Sequence, residues 1–258
     1  MRRAFIDDDR LLAGGDPGQG IVLPAAVAFR FARVLRLQQG EAVELFDASG
    51  RVARGTFEPP DRMVDVVIAV VDDGLPPVLV VQALTRTDKL EWVAAKATEL
   101  GASRLILWSA SRAVVKLDDE RGDKKVARLQ RVAADAARQC GRTRPLQVEG
   151  PLTTRAVIDL LRAFGAGSDP APGGEGGLAV AGIVDADVTL SVLCARERVR
   201  LQRGFAIVIG PEGGIAPAEE DAFVDAGVHG VRFSRFILRT ETAALAALAI
   251  AQAGLGEA

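Results

Sequence analysis

The sequence has few of the side chains on which most enzyme active sites depend. It contains no tyrosine, one histidine and two cysteines in 258 residues. A Ser-His-Asp or Cys-His mechanism would have to use His229, which we place in a turn before a strand, with no partner evident nearby. Cys140 and Cys194 lack metal-ligand or disulfide spacing, so we expect two free thiols with a buried structural role and no metal site.

Long apolar runs and nucleotide-binding fingerprints are also missing. The longest apolar run, residues 243–251, is about half the length that spans a bilayer. The N-terminus turns acidic at residues 7–9, where a signal peptide would be apolar. We therefore expect a cytoplasmic protein with no membrane partner. No Gly-x-x-x-x-Gly-Lys-Ser/Thr loop occurs, and no Gly-x-Gly-x-x-Gly follows the first α/β strand. Any nucleotide-type cofactor must be bound in another way.

The net charge of −2 does not by itself indicate a nucleic-acid partner. Locally, however, residues 104–144 contain eleven basic residues against five acidic ones, and Arg30, Arg33 and Arg36 add positive charge near the N-terminus. These segments are either a phosphate-contacting face or ordinary solvated helix surface, and charge alone leaves both interpretations open.

The pattern of apolar residues divides the chain into a β-rich part, residues 1–73, and an α/β part, residues 74–258. In the first part, residues 41–46 and 51–57 flank a turn and predict a hairpin, and residues 63–71 predict a further strand. In the second part, strands and helices alternate, which favours a mostly parallel sheet. The strands are expected at residues 78–83, 105–108, 178–184, 205–209 and 231–233, and the helices at 89–100, 124–140, 153–163 and from about 242 onward.

A buried strand that runs directly into glycines is the first candidate site. Residues 207–215 read Ile-Val-Ile-Gly-Pro-Glu-Gly-Gly-Ile, and Pro217 follows where a helix would start. Glycines let the backbone approach a ligand closely, and a strand–loop–helix junction is a usual ligand position in α/β sheets. A sharp turn without a ligand is the alternative.

A second segment, residues 233–244, places Arg239 and Glu241 in a short loop before an Ala/Leu-rich helix. Thr240 or Thr242 can cap that helix, and an acid at its N-terminus is favourable without any ligand.

Together the two segments resemble the ribosomal RNA small subunit methyltransferase E family of the SPOUT superfamily. That family carries a Gly-Pro-Glu-Gly-Gly loop and an Ile-Leu-Arg-Thr-Glu-Thr-Ala segment at about this separation. Residues 89–101, residues 137–145 and residues 33–40 also resemble family segments, so the match covers nearly the whole chain in order.

The resemblance implies a PUA-like RNA-binding β-barrel over residues 1–73 and a SPOUT methyltransferase domain with a deep trefoil knot over residues 74–258. It implies that a homodimer transfers a methyl group from S-adenosyl-L-methionine (AdoMet) to N3 of a uridine in 16S rRNA of the small ribosomal subunit, uridine 1498 in the standard rRNA numbering. The catalytic residues implied are Arg239, which would stabilise charge on the uracil oxygens, and Glu241. The cofactor-binding residues implied are Val184, Ile209, Gly210, Glu212, Gly213, Gly214, Ser234, Ile237, Leu238, Arg239 and Thr242. The RNA-binding residues implied are Arg2, Arg3, Arg30, Arg33, Arg36, Arg112, Arg138, Gln139 and Arg142.

Three positions depart from the family pattern: Arg30 stands where a histidine is usual, Ser234 where glycine is usual, and Phe236 where arginine is usual. Three other functions stay open on the sequence: a SPOUT methyltransferase acting on another RNA, a non-catalytic RNA-binding relic, and a phosphate-ligand enzyme that uses residues 210–214 as an anion nest.

Overall fold

The computed structural model describes residues 2–6, 12, 20–71, 74–115, 119–166 and 176–256. The chain divides into two compact units. The first unit comprises residues 1–74 and 134–145, and the second comprises residues 75–133 and 146–258. The sequence pattern predicted the first segment of unit 1, but it gave no indication that residues 134–145 pack with it. None of the helices in the described part of the chain is long and apolar enough to cross a membrane.

Unit 1 is built on a five-stranded sheet in the order β1-β3-β4-β5-β2. The strands are β1 (Arg2–Ile6), β2 (Ile21–Val22), β3 (Ala42–Asp47), β4 (Arg51–Glu58) and β5 (Arg62–Val70). β3 and β4 pair antiparallel as the predicted hairpin, and Gly50 supplies the positive φ of 81° at the turn. Glycine adopts this conformation without the steric cost that other residues incur.

Two helical segments belong to unit 1. Helix α1 (Ala25–Phe29) continues into a π-helical turn, Arg30–Val34, which the sequence did not predict, and Phe31 in that turn is fully buried. The last part of a long helix, α3 (Asp119–Cys140), supplies Ala137, which packs with Phe46 and Val52.

Unit 2 contains a six-stranded sheet in which every pairing is parallel, in the order β11-β9-β10-β6-β7-β8. This confirms the predicted α/β class with a mostly parallel sheet. The central strands are buried on both faces, and such strands consist of near-continuous apolar runs. The strands are β6 (Val78–Ala83), β7 (Arg104–Ser109), β8 (Gln147–Thr153), β9 (Leu178–Gly182), β10 (Phe205–Ile209) and β11 (His229–Val231).

Helices cover the sheet and complete the core of unit 2. α3 is joined by α2 (Thr87–Glu99), α4 (Thr154–Ala166), α5 (Leu190–Arg196), α6 (Arg198–Arg203), α7 (Pro217–Asp225) and α8 (Thr240–Leu255). α8 packs against α2 and α5, and its buried Ala244, Ala247, Leu248 and Ala251 recur at helical spacing.

Strand β11 differs from the prediction for residues 231–233. It begins at His229, which pairs with Val180, so the histidine lies in the edge strand rather than in the preceding turn. Its Nε2 atom lies 3.3 Å from a guanidinium nitrogen of Arg200. Burial, together with the positive charge of Arg200, lowers the pKa of His229. The side chain is therefore neutral at physiological pH.

Both cysteines are free, as predicted. Cys194 is buried, which raises the pKa of its thiol to about 11, whereas Cys140 is exposed, contrary to the buried role expected for it.

A buried carboxylate, Glu219, connects three elements of unit 2. It accepts hydrogen bonds from the amide and hydroxyl of Ser111 at 2.9 and 3.0 Å, from the Thr154 hydroxyl at 2.9 Å and from the Ala216 amide at 3.2 Å. Burial by itself raises the pKa of Glu219, but these four donors outweigh burial and lower the pKa below the usual 4.5. Ionised Glu219 therefore caps α7 and holds α7 to the loop after β7 and to the start of α4.

The Glu219→Gln variant should lose about 2 kcal/mol of unfolding free energy at neutral pH, because the neutral amide cannot accept from all four donors. A lowered folded-state pKa stabilises the fold above the unfolded value of 4.5, and that contribution is lost as pH falls through the folded pKa. The free energy of unfolding should be measured with denaturant above pH 4.5 and below the folded-state pKa of Glu219. It should change less between these two pH values in Glu219→Gln than in the parent. Glu220→Gln, one residue along α7, is the control. Parallel pH profiles for Glu219→Gln and the parent would contradict the assignment.

Candidate active site

A cavity of about 920 Å³ lies in unit 2, beyond the carboxyl ends of its parallel strands. Three loops line it: residues 182–184 after β9, residues 209–215 after β10 and residues 231–240 after β11. Arg86 and Lys89, which follow β6, complete the wall. Because parallel strands end at the same edge of the sheet, loops that are distant in sequence meet here.

The structure brings together nearly all of the residues that the sequence placed around a cofactor. Of the predicted cofactor-binding residues, all except Thr242 line this cavity, and so does the predicted catalytic residue Arg239. Glu241, the other predicted catalytic residue, is not among the lining residues. Thr242 is exposed in the first turn of α8.

The glycine loop, residues 210–214, turns back on itself directly after the buried strand β10. The amide of Gly214 donates to the carbonyl of Pro211 at 2.9 Å, and Gly214 has a positive φ of 74°. At Gly210, a Cβ atom would lie only 2.8 Å from Cγ1 of Ile215. The sequence Gly-Pro-Glu-Gly-Gly therefore satisfies steric requirements at two separate points of the turn.

Thr240 fixes the glycine loop to the start of α8. Its hydroxyl donates to the carbonyl of Gly210 at 2.8 Å and accepts from Nε2 of Gln82 at 2.8 Å. Both Thr240 and Gln82 are buried, so these bonds join β6, the loop after β10 and α8 away from solvent. The sequence indicated Thr240 only as a helix cap, and it did not indicate Gln82.

Lys89 lies between two carboxylates at the wall of the cavity. Its Nζ atom is 2.8 Å from Glu212 Oε1 and 3.3 Å from Glu241 Oε2. The hydroxyl of the buried Thr85 also donates to Glu212 Oε1, at 2.6 Å. Partial burial alone raises the pKa of Glu212, but hydrogen bonds from Lys89 and Thr85 outweigh it and lower the pKa to about 2. The hydrogen bond to Glu212 in turn raises the pKa of Lys89. Glu212 is therefore ionised at physiological pH and is a weak base.

Arg239 precedes α8 and is exposed at the cavity wall. It forms no ion pair with any residue in the described parts of the chain, in contrast to Arg86, which pairs with Asp88 at 3.2 Å. Arg232 and Arg235 also line the cavity. This wall therefore carries guanidinium groups that can face an anionic or electron-rich ligand.

The predicted RNA-binding residues are distributed over both units. Arg2, Arg3, Arg30, Arg33, Arg36, Arg138, Gln139 and Arg142 belong to unit 1, whereas Arg112 belongs to unit 2. Arg112 is exposed, and its guanidinium donates to the carbonyls of Gly213 and Ile215, both at 3.3 Å. It therefore supports the outer side of the glycine loop.

Arg3 has a structural environment. Its guanidinium pairs with the buried Glu44 at 2.5 Å, donates to the carbonyl of Arg142 at 3.0 Å and lies 4.7 Å from the ring centroid of Phe46. Glu44, only 3% exposed, also pairs with Arg54. These contacts hold β1 to its neighbours in unit 1.

Arg30 and Arg138 bring two positive charges together electrostatically within unit 1. Partial burial, followed by the positive charge of Arg138, lowers the pKa of Arg30, and Asp135 offsets this only in part. Arg138 pairs with Asp135 at 3.4 Å, while its buried Nε atom has no hydrogen-bond partner in the described structure. An anion bound between like charges would relieve their repulsion.

The α/β fold places a glycine loop, several arginines and the ends of parallel strands around one cavity. Comparison with known proteins identifies the class as that of RNA methyltransferases. A family model described as an RNA methyltransferase domain matches residues 73–252. The ribosomal RNA small subunit methyltransferase E of Mycobacterium bovis is 36% identical over 238 residues, which cover 90% of this chain and 86% of the relative. The protein of the same name from Bacillus subtilis is 30% identical and covers 83% of this chain and 82% of its own length.

A solved structure of ribosomal RNA small subunit methyltransferase E from Neisseria gonorrhoeae, bound to S-adenosylmethionine, has the same fold. Its TM-score is 0.75 at 24% identity, with 98% of this chain and 97% of that chain covered. The chain belongs to the ribosomal RNA small subunit methyltransferase E family, as the sequence resemblance predicted.

Proposed function

We propose that this protein transfers a methyl group from AdoMet to N3 of a specific uridine in 16S rRNA of the small ribosomal subunit. The proposal rests on one observation, which is that the glycine loop, residues 182–184 and Arg239 all line the same cavity. It is supported by the names of relatives that cover most of the chain. A ribosomal substrate places the reaction in the cytoplasm.

The cavity suits AdoMet in size and lining. Its volume of about 920 Å³ lies within the roughly 300–1,000 Å³ typical of small-molecule sites. Ile183, Ile209 and Leu238 offer apolar contacts, and the backbone around Gly210 and Gly214 can approach a ligand closely. When bound, AdoMet supplies a methyl group already activated by its sulfonium. The protein holds it through residues 182–184, 209–215 and 234–240.

Arg239 is the residue that we assign to the chemistry on the acceptor. Uracil N3 carries a proton, and its loss places negative charge on the neighbouring oxygens. An exposed guanidinium without a carboxylate partner in the described structure is suited to stabilise that charge. Glu212 has a pKa of about 2 and is a weak acceptor, so the proton passes to water. Glu241, the other catalytic residue implied by the family, pairs with Lys89 at 3.3 Å, and we assign it a positioning role through that lysine.

The remaining features implied by the family are proposals of the same kind. Residues 1–73 are a PUA-like barrel that binds RNA, residues 74–258 are the methyltransferase domain with its trefoil knot, and two chains form a homodimer. For the dimer, the supporting observation is the exposure of Val184 (59%), Phe236 (75%) and Ile237 (80%) at the rim of the cavity. Clustered exposed apolar side chains of this size mark contact surfaces.

Cofactor placement can be tested with Gly214→Val and a matched control. Gly214 and Gly227 have similar φ values, 74° and 80°. A Cβ atom added at either residue would have no atom within 4 Å apart from those of its chain neighbours. Only Gly214 lines the cavity. Calorimetric titration with AdoMet should show binding by the parent and by Gly227→Val, and a loss of at least about tenfold in affinity for Gly214→Val. Equal affinities in the two variants would remove the cofactor from this loop.

The catalytic role of Arg239 predicts a selective defect. Arg239→Met should lower kcat for methylation of 16S rRNA about 100-fold, the usual effect of removing one group that stabilises an oxyanion. Arg239→Lys should retain more activity, because it keeps the charge. The product is identified by mass mapping of the methylated nucleotide. Full activity in Arg239→Met, or a methyl group on another atom, would contradict the assignment.

The interacting positive charges of Arg30 and Arg138 predict a phosphate site in unit 1. The double variant Arg30→Ala/Arg138→Ala should bind 16S rRNA more weakly. The slope of the logarithm of the association constant against the logarithm of the salt concentration should become less steep by roughly 1 to 2. Arg155→Ala, an exposed arginine of α4 paired with Asp159, serves as the control. An unchanged salt slope in the double variant would show that these guanidiniums do not contact phosphates.

The dimer proposal predicts that Ile237→Asp dissociates the protein, because an interface cannot accept an unpaired carboxylate without a large desolvation cost. Sedimentation equilibrium should give two chains per particle for the parent and for the control Val224→Asp, whose exposed side chain lies on α7. A parent that sediments as one chain would overturn the proposal.

A further inference from the structure

We infer that Lys89 is a positioning residue that holds the glycine loop in its ligand-binding conformation by joining Glu212 to Glu241. The inference concerns the same cavity and rests on the proposed function for its consequence in cofactor binding. It assigns to a helix residue a role that neither the glycine motif nor the Arg-Thr-Glu-Thr motif contains.

Lys89 lies within reach of two acidic residues from different segments. Glu212 is the acidic residue of the glycine loop, and Glu241 lies in the first turn of α8. Lys89 projects from the start of α2, and its Nζ atom reaches both carboxylates, at 2.8 and 3.3 Å. The ammonium group of Lys89 therefore connects the glycine loop and the start of α8, which both flank the cavity, to α2. An ammonium has three donors, which is enough for both carboxylates.

The carboxylates of Glu212 and Glu241 would repel each other if Lys89 were absent. Both approach the same nitrogen, and Glu241 and Lys89 are largely buried, with side-chain exposures of 15% and 16%. Oε2 of Glu241 is buried, and Lys89 at 3.3 Å is its ion-pair partner in the described structure, so the charge of Lys89 is its main compensation. Without Lys89, Glu212 would keep the Thr85 hydroxyl but lose its counter-charge, and the link from the loop to Glu241 would be lost.

The glycine loop is attached to the rest of unit 2 at separate points along its length. Thr240 fixes the beginning of the loop at the Gly210 carbonyl, and Arg112 contacts the carbonyls of Gly213 and Ile215. Glu212 lies between these points, and Lys89 and Thr85 are its side-chain partners. Loss of Lys89 would therefore loosen the centre of the loop while both of its ends stay attached.

Hydrogen exchange in the ligand-free protein tests the restraint itself. The backbone amides of residues 210–216 should exchange at least about fivefold faster in Lys89→Met and in Glu212→Gln than in the parent, because the loop opens more readily. Lys89→Arg should restore slow exchange, since a guanidinium can also bridge two carboxylates. Lys96→Met removes another ion-paired lysine of α2, which pairs with Glu99 at 2.7 Å outside the cavity, and should leave these amides unchanged.

Calorimetry with AdoMet then tests the consequence. Lys89→Met and Glu212→Gln should each weaken binding about tenfold, and the double variant should be no weaker than either single variant, because both remove the same restraint. Losses that multiply in the double variant would mean that Lys89 contacts the cofactor directly, and would overturn a positioning role. Unchanged exchange in Lys89→Met would overturn the restraint whatever the binding data. Faster exchange in Lys89→Met, together with a parent that does not bind AdoMet, would uphold the restraint and overturn the proposed function.

Discussion

The site depends on the parallel pairing of β9, β10 and β6. Parallel strands all end at the same edge, so the segments that follow them are brought together whatever their separation in sequence. Gly182, Gly210 and Arg86 are far apart along the chain but lie around one cavity for this reason. The buried strands place these loops; the chemistry of the loops then decides what the cavity can hold.

Small residues and polar anchors maintain the shape of the cavity in different ways. At Gly182, a Cβ atom would come within 2.6 Å of the Phe233 ring, so glycine permits β9 and the loop after β11 to approach each other. Thr240 and Lys89, by contrast, apply specific attractive contacts to the glycine loop. The first kind of constraint is steric and keeps loops close; the second is polar and fixes their conformation.

These two kinds of constraint explain how much the sequence could predict. Apolar runs identified β6 and β10 closely, and the glycine and Arg-Thr-Glu-Thr motifs identified most of the cavity lining. β11 was misplaced because the apolar residues Val231 and Phe233 suggested the strand, whereas the residues that pair with β9 begin at His229, and pairing is a tertiary property. Lys89, Gln82 and Glu219 were missed as site or network residues, because their partners lie in other elements. The assignment of residues 134–145 to unit 1 depends on contacts such as Ala137 with Phe46, which no helical pattern contains.

The three residues that depart from the family pattern, Ser234, Phe236 and Arg30, have different structural surroundings. The hydroxyl of Ser234 accepts a hydrogen bond from the Phe236 amide at 3.1 Å, so the side chain that replaces glycine forms part of its own turn. Phe236 removes a guanidinium from the rim, but Arg235 and Arg239 both line the same wall, so positive charge is retained there. At the third position, Arg30 is partly buried, and burial followed by the positive charge of Arg138 lowers its pKa. The departures at Ser234 and Phe236 therefore leave both the turn and the positive charge of the cavity wall in place.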